Sequence, residues 1–178
     1  LDREATALAG GLASLGLSRG DAVATIVANG AAAVETLFAL AKPGFVGVPI
    51  NYGLTPAEVG VILGDCRPKV ILADAEFIAS FRQPILTAGV PVVVRGEGGG
   101  HPGHWIGLDA LKADGRPFDA DAVSPDEIRT IRYTSGTTAL PKGCLGTHCQ
   151  ILSSIANFFE DLDVPEAPFL QLLPMFSG

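Results

Sequence analysis

The sequence predicts an α/β fold: a parallel sheet flanked by helices, built from βα repeats. Three observations carry the prediction. Short uncharged runs rich in β-branched residues recur along the chain, as in strands buried on both faces. Segments with apolar residues at helical spacing separate them. The connections are short and hold Gly, Pro, Asn or Asp. Such alternation favours helices on both sheet faces, joined by right-handed crossovers.

Taken in order, Leu1, Ala5, Leu8, Ala9, Leu12 and Leu15 fall at helical spacing, and Gly16 supplies the stop. Ser18-Arg19-Gly20-Asp21 is a turn, and Ala22 to Ala28 reads as a strand. Asn29-Gly30 breaks it, Ala31 to Ala41 is helical with Val34, Leu37, Phe38 and Ala41 on one face, and Pro43-Gly44 ends that helix. Phe45 to Ile50 is the next strand. Thr55-Pro56-Ala57-Glu58 is a capping box with proline at the first helical position, opening a helix to about Gly64. Lys69 to Ala73 is a strand, Phe77 to Ala88 a helix that Pro84 should break or kink, and Val90 to Val94 a strand. Residues 1–95 thus form a βα-repeat region.

Residues 96–127 read differently. Gly96 to Gly107 holds six glycines and suits a surface loop. Its His101 and His104 have no third ligand nearby, so no metal site is assigned. Ala110 to Ser124 lacks apolar periodicity and serves as a connector into a Ser124-Pro125-Asp126-Glu127 turn. In the last region, 128–178, Ile128 to Tyr133 is a strand, Cys144 to Gly146 is extended, and Thr147 caps a helix from His148 to about Asp161. Phe169 to Leu173 reads as a final strand.

Composition bounds the function. Of 178 residues, 48% are apolar and 17% charged, which suits a packed core and not a disordered chain. With 12 basic and 19 acidic residues the net charge is −7, so no nucleic-acid or anionic-membrane partner is expected. Three cysteines without metal-ligand spacing point to reduced thiols and a cytoplasmic setting. The longest charge-free run, Gly143 to Phe159, contains His148, Gln150, Ser153, Ser154 and Asn157, so no membrane span is expected. The opening Leu1-Asp2-Arg3-Glu4 shows no signal peptide, and the missing initiator methionine suggests a partial chain.

The most specialised stretch is Tyr133 to Gly143, Tyr-Thr-Ser-Gly-Thr-Thr-Ala-Leu-Pro-Lys-Gly. Glycine lets backbone approach a ligand, hydroxyls and amides donate hydrogen bonds, and lysine adds a point charge, so the run suits a phosphate. The generic P-loop does not fit, because Pro141, Lys142 and Gly143 stand where Gly-Lys-Ser/Thr is required. A turn without function is the competing reading. A Ser/Thr/Gly turn seldom needs this whole set.

The run resembles the phosphate-binding signature of the adenylate-forming superfamily, Tyr/Phe-Thr-Ser-Gly-Ser/Thr-Thr-Gly-x-Pro-Lys-Gly, found in acyl-CoA synthetases, luciferases and peptide-synthetase adenylation domains. Ala139 stands where that signature has glycine. Gly20 to Val23, Lys42 to Asn51, Leu54-Thr55, Glu58, Thr147-His148 and Leu173 to Phe176 are similar to the family as well, so the likeness covers most of the chain. It implies part of a large N-terminal domain, with the C-terminal domain absent. It implies a ligase that activates a carboxylic acid with ATP to an acyl-adenylate and then forms a thioester with coenzyme A. Thr134, Ser135, Gly136, Thr137, Thr138, Lys142 and Gly143 would bind the β and γ phosphates, with Lys142 and Thr138 acting in catalysis. Ser177, where histidine is common, would lie beside the acyl site. Mg²⁺ is implied, with its ligand beyond this chain. So are an adenine site and a C-terminal lysine, and these 178 residues alone are expected not to turn over. His148 has two readings, a helix-start residue bonded to the loop or a catalytic base. An adenylation domain that loads a carrier protein, and a non-catalytic nucleotide-binding or interaction module, remain alternatives.

Overall fold

The computed structural model describes residues 1–96, 105–120, 122–134 and 140–161. The chain runs α1 (Asp2–Ser14), β1 (Ala22–Ile26), α2 (Ala31–Ala41), β2 (Val46–Pro49), α3 (Pro56–Cys66), β3 (Val70–Asp74), α4 (Ala75–Ala88), β4 (Val92–Arg95), β5 (Trp105–Gly107), α5 (Leu108–Ala113), β6 (Ile128–Thr134), β7 (Lys142–Thr147) and α6 (His148–Asp161). One sheet has the order β5-β4-β3-β1-β2-β6-β7. All neighbours are parallel except β6 and β7, which form an antiparallel pair at one edge.

Period-two alternation divides the core between the two sheet faces. Val23, Val70, Leu72 and Val93 meet α1, α2 and α5 through Leu8, Leu12, Ala39, Leu40 and Leu111. Ala24, Ile26, Ile71, Ala73, Val92 and Val94 meet α3 and α4 through Val59, Ile62, Ile78, Phe81 and Ile85. Because both faces are covered, the strands needed no polar side, and hence their uncharged runs. The Thr55–Glu58 box forms as read: the Thr55 hydroxyl accepts from the Glu58 amide at 3.3 Å, and Glu58 accepts from the Thr55 amide at 2.8 Å.

Two expectations are corrected and two are sharpened. The expected parallel sheet flanked by helices is present, and β7 adds an antiparallel strand because it returns directly along β6. Trp105 to Gly107, read as loop, is the edge strand β5 on β4. Leu108 to Ala113, partly assigned to a connector, is α5; two buried leucines, Leu108 and Leu111, are too few to show a period. Pro84 kinks α4, as expected, without ending it. The helix continues through it, and the distortion sits one turn earlier at Phe81 (φ −112°, ψ 18°), where the chain adjusts to the missing amide hydrogen and the ring clash at the residue 80 carbonyl. The strand expected at Phe169 to Leu173 lies outside the described residues.

Two glycines let α1 approach its neighbours. A Cβ on Gly11 would stand 2.5 Å from the Leu111 carbonyl oxygen, and one on Gly10 would stand 2.8 Å from that of Arg116. At the carboxyl ends of β1, β3 and β4, Asp74 ties three segments. It accepts from the Ala28 amide at 2.8 Å and from Arg95 Nε at 2.6 Å.

Candidate functional site

Strand β6 lies parallel to β2 with Gly47 opposite Thr130, and the Thr130 hydroxyl donates to the Gly47 carbonyl at 3.0 Å. Its C-terminal residue Thr134 therefore emerges at the carboxyl end of the sheet, the edge where open α/β sheets bind ligands. The chain leaves at Thr134 and returns at Lys142, and these two residues are cross-strand partners. The described ends of the predicted phosphate run, Tyr133-Thr134 and Lys142-Gly143, are thus paired as neighbouring antiparallel strands. Both Thr134 and Lys142 are exposed. Among the described residues no carboxylate forms an ion pair with Lys142. Ser135, Gly136, Thr137, Thr138 and Ser177 lie outside the described residues, as does Ala139.

Gly143 has a packing reason to be glycine. It pairs with Tyr133, and a Cβ there would stand 2.9 Å from Ile131 Cγ2 and 3.3 Å from Tyr133 Cζ. The Tyr133 ring therefore crosses the returning strand beside Lys142. Its hydroxyl donates to Asp65 Oδ2 in the last turn of α3 at 2.5 Å. Burial and that hydrogen bond push the phenol's pKa upward, so it remains a donor. Asp65 was not singled out from the sequence, because a partner 68 residues away leaves no local signal.

The start of α6 is a rival anion site, since helix N-termini expose amide hydrogens. Here the chain fills them itself. The His148 amide donates to the Glu127 carbonyl at 3.2 Å and the Cys149 amide to the Pro125 carbonyl at 2.7 Å. The Gln150 amide donates to the Thr147 hydroxyl at 3.2 Å, and the Thr147 amide to Gln150 Oε1 at 3.0 Å. Thr147 caps the helix as expected, through a Thr-x-x-Gln box. His148 stands at the helix start. Its Nε2 is buried without a partner among the described residues. Burial, then the neighbouring Arg129, holds its pKa below the ordinary value against an opposing pull from Glu127. No carboxylate accepts from this imidazole among the described residues, so the second group that a catalytic base would use is not seen there.

A groove of about 680 Å³ between α3 and α4 is lined by Gly60, Leu63, Arg67, Gln83 and Pro84 and contains none of the hairpin residues. The chemistry gathers at the hairpin, so that is the candidate site. Among the described residues no cluster of His, Cys, Asp and Glu could hold a metal ion. The described residues therefore do not by themselves supply a Mg²⁺ site.

The family model "AMP-binding enzyme" matches residues 1–177. The chain belongs to this family. It is 34% identical over 170 residues to the long-chain-fatty-acid–CoA ligase FadD13 of Mycobacterium tuberculosis, covering 93% of this chain and 32% of that protein. It is 35% identical over 148 residues to the fatty acid–acyl-carrier-protein ligase ScoC of Streptomyces coeruleorubidus, covering 83% of this chain and 27% of that protein. Among solved structures, the inhibitor-bound N-terminal domain of FACL13 from Mycobacterium tuberculosis matches with a TM-score of 0.76 and 33% identity, covering 98% of this chain and 43% of that one. The chain spans about a third of the length of the curated relatives it matches.

Proposed function

We propose that the protein to which this chain belongs activates a carboxylic acid, fatty or another acyl acid, with ATP and passes the acyl group to coenzyme A. The observation that carries the reading is the paired Thr134 and Lys142 at the carboxyl edge of an α/β sheet, joined by a sequence rich in Thr, Ser and Gly. Membership of the family and likeness to a long-chain-fatty-acid–CoA ligase support it.

In the first step a carboxylate oxygen attacks the α-phosphorus, the bond to the bridging oxygen breaks, and pyrophosphate leaves. In the second, the thiol sulfur bonds to the acyl carbon, AMP leaves and the thiol proton is released. The chain's own task falls in the first step. Hydroxyl and amide donors from Thr134, Ser135, Gly136, Thr137, Thr138 and Gly143 would hold the β and γ phosphates. Lys142 would neutralise charge that gathers on the leaving group, a preorganised electrostatic role. Pro141 stiffens the approach to that lysine. No covalent protein nucleophile is needed. Mg²⁺ would shield the polyphosphate; since this chain supplies no ligand set among its described residues, no step is routed through it. Three free cysteines support a cytoplasmic setting.

Pyrophosphate exchange in the full-length protein tests the reading. Lys142→Ala and Thr138→Ala should each abolish most of it while folding is retained, and unchanged exchange would sink the assignment. A second reading, transfer to a carrier protein, is motivated by the likeness to ScoC. Supplying coenzyme A or a phosphopantetheine-bearing protein as acceptor separates the two. ATP binding without exchange would instead favour a non-catalytic module.

A further inference from the structure

We propose that Asp65 and Tyr133 form a positioning clamp that fixes the root of the phosphate hairpin to helix α3. The inference rests on the proposed function and adds residues to that site that touch neither phosphate nor acid.

Three restraints converge on Tyr133. Its backbone pairs with Gly143 in the hairpin, its ring lies across that glycine, and its hydroxyl bonds to Asp65 at 2.5 Å. Its chain neighbour is Thr134, while Gly143's is Lys142, so moving the ring moves both ends of the phosphate turn. Asp65 is well anchored, because α3 holds Val59, Ile62 and Leu63 in the core shared with β1, β3 and α4. Strand β6 is held by β2 and by Ile131 and Tyr133 against the core, but the returning strand is less covered. Strand β7 lies at the sheet edge, and four of its six residues are exposed. A single charge-assisted hydrogen bond from a core-packed helix to a hairpin with an exposed return strand is therefore placed where it alters aim more than stability. Burial of the ring and the bond to Asp65 both disfavour the phenolate, so the donor persists at neutral pH.

In the full-length protein, exchange is measured for the unmutated chain, Tyr133→Phe, Asp65→Ala, Asp65→Asn and the Tyr133→Phe/Asp65→Ala pair, with KM for ATP and for the acid taken separately. Loss of one hydrogen bond predicts a KM for ATP about fivefold higher in Tyr133→Phe and in Asp65→Ala. The pair should be no worse than either alone, Asp65→Asn should recover most of the loss, and KM for the acid should not move. Additive effects, or a lower rate with unchanged KM for ATP, would overturn the clamp, since loss of folded protein gives that pattern. Amide hydrogen exchange needs no turnover. Tyr133→Phe should speed exchange in β6 and β7 about fivefold and leave β1 and β3 unchanged. Equal protection in both proteins also overturns the clamp. Absence of pyrophosphate exchange in the unmutated protein, with the protection difference present, would strike the proposed function and leave the clamp standing.

Discussion

Strands β3 and β7 belong to one sheet yet live under opposite conditions. All five residues of β3 are buried, between two helical layers and two neighbouring strands. In β7 only Gly146 is buried, and Lys142 to Leu145 are exposed. The contrast shows how the fold divides labour. The central strands carry apolar side chains whose burial holds the sheet, and the edge hairpin carries hydroxyls, glycines and a lysine that contribute little to the core. Substitutions in the two regions should therefore separate stability from activity.

The largest stability effect is expected in the centre. Ile71→Ala should cost about 3 kcal/mol in urea unfolding, because a fully buried side chain leaves a cavity between α3, α4 and the sheet. A loss below about 1 kcal/mol would break the contrast. Lys142→Ala should reduce exchange by about a hundredfold. The same change should shift stability by less than about 0.5 kcal/mol, since the side chain is exposed. A large fall in melting temperature would mean that the hairpin does support the core. Gly11→Ala should cost about 2 kcal/mol, as its methyl meets backbone only 2.5 Å away. Gly143→Ala should cost about 1 kcal/mol, with exchange falling more than stability, because the Tyr133 ring can yield but the turn's aim cannot.

The smallest effect is a pH dependence at the start of α6. The folded His148 takes up a proton less readily than an unfolded one, whose ordinary value is 6.5. Its contribution to stability is therefore complete above that value and is lost as pH falls through and below it. Unfolding free energy should be higher at pH 7.5 than at pH 5.5, and His148→Gln should narrow the difference. An unaltered difference would assign the pH dependence to other groups.

Much of this was legible in the sequence, for reasons that differ by element. Strands β1 to β4 were readable because burial on both faces demands unbroken apolar runs, and α3 because its cap is written in adjacent residues. The phosphate run stood out by composition, and its place at a strand end followed from Ile128 to Tyr133 immediately before it. Strand β5 was hidden: Trp105 to Gly107 has no strand pattern of its own and pairs because the edge of β4 is open. Helix α5 was too short to show a period.

The sequence by itself determined the alternation of elements, the capping box at α3, the Thr147 cap of α6 and the chemistry gathered between Tyr133 and Gly143, since each depends on residues a few positions apart. Only the tertiary structure decided that the strands flanking the run pair antiparallel, that the amides opening α6 are taken by the 125 and 127 carbonyls, and that Tyr133 reaches Asp65. Those contacts join residues distant along the chain. Their partners are selected by how the layers pack, and no local pattern records that choice.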